Sequence, residues 1–181
     1  MENRRFTTRK IALIGILSAM VFALTKFISI PIPSPLGKTA LSVGNSMCVL
    51  SALLFGPGIG NALVDLSDPA WAPEFWITFI NKFAMAFVAG IVMHKVHLGS
   101  EKVRVWIAGI CGALTYCLLY VAKNIITGVV VKGFTLDVSV AETLAVKLPV
   151  TLVNAIIAVI CAGALYLVLK PALKKAHVET V

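Results

Sequence analysis

The sequence has few charged residues. Charged side chains make up 13% of the 181 residues and hydrophobic ones 59%, and the mean hydropathy is +0.96. A soluble domain is about 25% charged and about 45–50% apolar, so this chain lacks the polar surface that a soluble globule needs. The composition therefore excludes an ordinary soluble domain and predicts an integral membrane protein.

Motifs for catalysis, metal binding and phosphate binding are also absent. There is no GxSxG, no HExxH and no pair of carboxylates, and the four cysteines lie in apolar runs without a CxxC pair. The three histidines have no cysteine or carboxylate at ligand spacing. The segment PSPLGKT ends like a phosphate-binding loop, but Ile32 stands where that motif requires glycine. The sequence therefore predicts no enzyme, no metal site and no cofactor, and nothing in it indicates a nucleic-acid partner.

Long apolar runs predict helices that cross the membrane. Clear runs cover residues 11–30, 74–93, 105–123 and 148–169, and the first has the roughly 20 residues of a spanning helix. The stretch 41–67 is broken at Phe55-Gly56-Pro57-Gly58, because proline cannot continue a helix and glycine favours a turn. Taken alone, it could be one broken helix or a hairpin of two short helices.

Positive charge decides between these alternatives. Lysine and arginine favour the cytoplasmic side of short loops, and basic clusters lie at residues 4–10, 95–104 and 170–175. If the first two clusters are both cytoplasmic, the chain crosses the membrane an even number of times between them, so the stretch 41–67 is predicted to be a hairpin of 41–55 and 57–67. The fold prediction is an all-α six-helix bundle, one transmembrane domain over residues 1–181, with both termini cytoplasmic. Segments 31–40, 67–74 and 124–147 are then predicted to lie on the outer side of the membrane.

Polar side chains within or beside the apolar runs mark a candidate ligand site. In this topology they fall at the outer end of the bundle, while the inner halves of the helices are almost entirely apolar, so a pocket would open outward and be closed below. The candidate substrate-binding residues are Asn45, Asp65, Trp71, Trp76, Asn81, Lys82, Lys123, Asn124 and Asn154.

Some of these residues have simpler explanations. Lys123 could extend toward the interface, and Trp71 and Trp76 could belong to an interfacial belt. Lys82 lies well inside its run and has no acidic residue within four positions. Because a buried charge is costly unless neutralised, either an anionic ligand or a partner across the bundle, such as Asp65 or Glu74, would pair with it.

Small residues recur on one face of the first run. Gly15, Ala19 and Ala23 are spaced by four, and such a stripe lets another helix approach closely in lipid. The stripe could serve internal packing or dock a partner.

The order of motifs resembles a known family. A basic start is followed by IPIP, VLSALLFGP, GIGNALVDL, WAPEFWITFINKFAMAFVAG and KLPVTLVNAIIAVICAGALYLVLKPAL. This order is similar to that of the substrate-binding S component of energy-coupling factor (ECF) transporters, which import vitamins and related micronutrients in prokaryotes. Asn45 occupies a position where members often carry aspartate.

The resemblance has several implications. It implies six helices in the plasma membrane of a prokaryote, a vitamin-like ligand held near the outer surface, and a partner module of one membrane T component and two cytosolic ATPase subunits. It also implies that Gly15, Ala19 and Ala23 contact the T component. The alternative function is a self-sufficient ion-coupled secondary transporter, which would need a carboxylate deep in the membrane, and the topology predicts none there.

Overall fold

The computed structural model describes residues 8–34, 37–55, 75–96 and 99–175. Two antiparallel strands connect the first two helices, and two π-helical turns, Thr127–Val131 and Thr143–Lys147, flank a short helix. The elements are α1 Thr8–Phe27, β1 Ser29–Ser34, β2 Gly37–Ser42, α2 Gly44–Phe55, α3 Phe75–Lys95, α4 Glu101–Ile126, α5 Leu136–Glu142 and α6 Leu148–Lys175. The predicted helix 57–67 lies outside the described residues.

The described part has the properties of a membrane protein. Three helical segments are long and apolar enough to cross a membrane: Ile77–Lys95, Glu101–Val131 and Leu136–Lys175. Large apolar side chains remain on the surface, among them Leu118 at 73% and Val168 at 70% exposure, as expected where lipid is the solvent. The prediction of a mostly helical membrane protein is confirmed, whereas six crossings and cytoplasmic termini remain predictions.

Residues 29–42 correct the prediction of an all-α chain. Helix α1 ends at Phe27, and β1 then pairs with β2 in antiparallel register, with Ser29 opposite Ser42 and Ser34 opposite Gly37. The physical reason is the IPIP sequence, since Pro31 and Pro33 cannot continue a helix. Proline is tolerated in a strand that has an open edge, and each strand of a two-stranded hairpin has one.

Helix α2 forms the centre of the bundle. Every residue of α2 is buried, and the helix packs against α1, α3 and α6. Helix α4 lies between α3 and α6 and makes close contacts with both. A Cβ atom added to Gly112 of α4 would lie 2.9 Å from Ala89 Cβ of α3, and one added to Gly163 of α6 would lie 2.8 Å from the Trp106 ring. Glycine at these positions permits the close approach of the helices.

Polar contacts show that α4 and α6 are antiparallel. At one end, Lys170 Nζ of α6 donates to Glu101 Oε1 of α4 at 2.7 Å. At the other end, Lys147 Nζ donates to Asn124 Oδ1 at 2.8 Å. The β1–β2 hairpin packs at this second end, which we call the hairpin end.

Candidate functional site

The β-hairpin is fixed to the bundle by side chains of α4 and α6. The backbone N–H of Ser42 donates to Asn154 Oδ1 at 2.9 Å, and Asn154 Nδ2 donates to the carbonyl oxygen of Ala40 at 2.8 Å. The hydroxyl oxygens of Thr39 and Tyr120 lie 3.4 Å apart. Asn154 therefore uses both ends of its amide to hold β2 across the hairpin end.

A second polar cluster joins the end of α4 to the start of α6. Lys147 and Asn124 are only 4% and 6% exposed, and Glu142 Oε2 lies 3.9 Å from Lys147 Nζ. Asn124 Nδ2 also donates to the carbonyl oxygen of Tyr120 at 2.7 Å. Because an isolated buried charge is costly, these contacts are what make a lysine tolerable inside the bundle.

Aromatic rings on α4 lie beside these clusters. The rings of Tyr116 and Tyr120 are stacked with centroids 5.7 Å apart. Lys123 Nζ lies 5.8 Å from the Tyr120 ring centroid, within cation–π distance. Tyr120 thus makes three contacts. Its hydroxyl contacts the hairpin, its carbonyl oxygen accepts from Asn124, and its ring lies beside Lys123.

Three further predicted site residues are buried on α2 and α3. Asn45, Asn81 and Lys82 are 9%, 5% and 4% exposed. Among the residues that the structure describes, none of the three has a hydrogen bond or ion pair to another described residue. Within the described residues, the polar groups of these three predicted site residues therefore have no partner. Any partner they have lies outside that part of the chain.

Helices α3 and α4 pack closely and are joined only by residues 96–100, so they run antiparallel, and this shows where Lys82 lies. Gly112 of α4 faces Ala89 of α3, and Lys82 precedes Ala89 by seven residues, which is about 10 Å along the helix. The same distance along α4, from Gly112 toward its C-terminal end, reaches the level of Tyr120, so Lys82 lies at about that level. Asn45 follows directly after β2, near the start of α2. The structure therefore brings Asn45, Asn81, Lys82, Lys123, Asn124 and Asn154 to the hairpin end.

The other predicted site residues are not placed. Asp65 and Trp71 lie outside the described residues, and Trp76 is described only by its backbone, near the start of α3. Sequence reasoning also missed Thr39, Tyr120 and Glu142, and it placed Lys147 in an outer segment. One signal was available: Ser139, Glu142 and Thr143 share a helical face, and all three are buried.

The prediction that no carboxylate lies deep in the membrane remains a prediction, because Glu142 lies beside Lys147 at the hairpin end. Glu142 is nevertheless buried there, at 9% exposure. The physical reason is that residues 136–147 continue as helical turns that pack against α4 and α6. Glu142 lies beside Lys147, so its charge has a basic partner inside the protein.

The small-residue face of α1 points away from the described bundle. A Cβ added to Gly15 would meet no atom within 4 Å, and Ala19 and Ala23 are exposed. Leu17, in contrast, is 4% exposed and packs in the core. Within the described segments, the stripe is therefore an open surface.

A cavity of about 220 Å³ lies between α4 and α6, and no residue of the polar clusters lines it. Its lining consists of aliphatic side chains and one cysteine. The lining residues are Ile110, Ala113, Leu114, Cys117, Leu152, Ala155, Ile156, Val159 and Ile160. Such a crevice cannot satisfy the hydrogen bonds of a water-soluble ligand, so it is not the predicted ligand site.

Buried amides, hydroxyls and lysines at one end of an otherwise apolar helical bundle are typical of a membrane protein that binds a small solute. A family model for the ECF-type riboflavin transporter, S component, matches residues 5–171. The chain therefore belongs to this family, which confirms the resemblance seen in the sequence, and it is a substrate-binding subunit of an ECF-type transporter. The family is one of transporters and not a class of enzymes. No curated protein and no solved structure matches the chain.

Proposed function

We propose that this chain captures riboflavin or a closely related flavin at the hairpin end and presents it for import. The proposal rests on the buried polar groups at that end, which supply the kind of site that the substrate of the matching family would need. We propose further that the hairpin end faces outward in a prokaryotic plasma membrane. ATP would be hydrolysed by two cytosolic ATPase subunits acting through a membrane T component.

The chemistry of a flavin suits these side chains. Its ring carries carbonyl oxygens, ring nitrogens and an N–H along one edge, and its ribityl chain carries hydroxyl groups. Amide side chains both donate and accept, so Asn45 and Asn81 can pair with either kind of group. An ammonium group only donates, so Lys82 would bind a flavin carbonyl oxygen or a ribityl oxygen. The flat ring could pack against tyrosine or tryptophan rings.

The residues at the hairpin end would then divide into two groups. Asn154, Asn124 and Lys147 already have partners among the described residues, and their contacts fix the shape of the site. Asn45, Asn81 and Lys82 are the side chains that we assign to the ligand. Asp65, Trp71, Trp76 and Lys123 remain candidate ligand contacts.

Extraction and titration together test this function. The purified protein is extracted with solvent, and small molecules that copurify are identified by mass spectrometry. Ligand-free protein is then titrated with riboflavin while the flavin fluorescence is recorded, because stacking and burial of the ring should quench it. A vitamin without a flavin ring serves as the control ligand. Absence of flavin from the extract together with no saturable quenching would reject a flavin as the ligand.

A liposome assay separates this proposal from a self-sufficient secondary transporter. The chain alone is reconstituted into vesicles, and flavin uptake is measured with and without an imposed proton or sodium gradient. Glu142 lies beside Lys147, so we expect no gradient-driven uptake by the chain alone. Uptake that follows the gradient in the absence of partner subunits would favour the secondary transporter.

A further inference from the structure

The segment that connects α4 to α6 buries several polar side chains and exposes most of its large apolar side chains. Its buried polar residues are Ser139, Glu142 and Thr143, with exposures of 0%, 9% and 0%. The exposed large apolar residues are Ile126 at 60%, Val130 at 75%, Val131 at 74%, Phe134 at 40%, Leu136 at 58%, Val138 at 50% and Leu144 at 47%. A surface helix in water shows the opposite arrangement. We call residues 126–145 the tip.

The apolar face of the tip continues a face of α4. Leu118, Ile126 and Val130 are 73%, 60% and 75% exposed, and they are separated by multiples of four residues. Side chains at that spacing lie on one face of a helix. Leu118 belongs to the segment that is apolar enough to span the membrane. Lipid that contacts Leu118 should therefore also contact the rest of this face as far as the tip.

The length of the helix agrees with this continuity. The helical segment Glu101–Val131 has 31 residues, which corresponds to about 46 Å at 1.5 Å per residue. A tilt of about 20°, the average for membrane helices, reduces its extent along the bilayer normal to about 43 Å. A bilayer is about 40–45 Å thick including its headgroup regions. A helix that starts at one interface thus ends within the opposite interface.

These observations point to lipid as the occupant of this surface. The geometry points to a tip that is immersed in the interfacial region of the leaflet at the hairpin end, with its apolar face against lipid chains. Lys132 and Asp137, the exposed charged residues among those of the tip, face headgroups and water. This inference is independent of the ligand, and it changes the interpretation of residues 124–147 from a water-exposed outer segment to a membrane-bound one.

Single labels in reconstituted protein test this inference. Cysteine is introduced at Val131, Leu144 or Lys132 in a chain whose four native cysteines are replaced by alanine, and each variant is labelled with an environment-sensitive fluorophore. The purified chain is placed in phosphatidylcholine vesicles with or without brominated acyl chains. A second set of variants keeps all native cysteines and carries tryptophan at Val131 or Lys132. The fluorescence that each variant adds to that of the parent chain is compared in the same two lipids.

We expect brominated lipid to remove most of the fluorescence from labels at Val131 and Leu144 and little of it from the label at Lys132. A water-soluble quencher should show the reverse order. Equal access of the water-soluble quencher to all three positions would overturn the inference. Labels at Val131 and Leu144 that are shielded from water and yet not quenched by brominated lipid would also overturn it, because another protein copy would then cover the tip.

Discussion

Three lysines at the hairpin end have different environments. Lys147 is buried and donates to Asn124, whereas Lys123 lies over the Tyr120 ring. Lys82 is 4% exposed, and within the described segments it has no hydrogen bond or ion pair to another described residue. A partner for its positive charge must therefore come from outside the described residues, and we assign this role to the ligand.

Replacing Lys82 by methionine should weaken flavin binding. A hydrogen bond to a charged donor contributes about 1.5–3 kcal/mol, so we expect roughly a tenfold or greater loss of affinity by calorimetry. Truncating one side of a buried ion pair costs about 2–5 kcal/mol, and a phosphorylated flavin tested in parallel shows whether an anion is preferred. Lys102→Met, at an exposed position at the other end of α4, is the matched control and should bind normally. Unchanged affinity in folded Lys82→Met would reject the contact.

At the scale of elements, small side chains set the distances between helices. Gly112 and Ala89 allow α4 to approach α3, and Gly163 accommodates the Trp106 ring at the interface of α4 and α6. Lipid chains are as apolar as the helices themselves, so close packing and not the hydrophobic effect holds such helices together. These positions should consequently tolerate little added volume.

The same substitution at two glycines of α4 tests this point. In Gly112→Ala the new Cβ would lie 2.9 Å from both Ala89 Cβ and the carbonyl oxygen of Met85, so α3 must shift. We expect a loss of about 1–3 kcal/mol in the free energy of unfolding.

Gly109→Ala is the matched control. Its Cβ would meet Val159 Cγ1 at 3.5 Å, which is ordinary contact, and alanine favours the helix by about 1 kcal/mol over glycine. Denaturant unfolding in detergent should show Gly112→Ala as the less stable variant. Equal stability of the two variants would show that α3 and α4 are not closely packed at this level.

At the scale of the whole molecule, α1 carries an open face that the described part of the bundle does not cover. Gly15, Ala19 and Ala23 share this face, while Leu17 packs in the core. A small-residue stripe has value when another backbone comes close to it. We propose that the membrane T component docks there.

Ala19→Phe should therefore separate binding from transport. We expect flavin affinity close to that of the parent chain and loss of ATP-driven uptake when the T component and ATPases are present, because the large ring prevents close approach. Leu118→Phe, at a position 73% exposed on α4, adds a similar ring elsewhere and should transport normally. If flavin binding and uptake fail together in Ala19→Phe, the stripe serves internal packing.

Local chemistry determined much of what the sequence predicted. The small fraction of charged residues requires an apolar solvent, and the apolar runs require helices, because lipid cannot satisfy backbone hydrogen bonds. Asn45, Asn81, Lys82, Asn124 and Asn154 were identifiable as candidates because polar side chains inside such runs are costly and need a purpose. The motif order was specific enough to indicate the family.

Only the tertiary structure decided how these side chains are used. Asn154 and Lys82 look alike in sequence as polar residues in apolar runs, but one holds β2 and the other is buried on α3 without a partner among the described residues. The distribution of basic residues predicted that residues 124–147 lie outside and indicated no helix in them, whereas residues 136–147 fold as helical turns that bury Glu142 and Lys147. The reason is that the sequence records which side chains are polar, whereas the packing of distant helices determines which of them face one another.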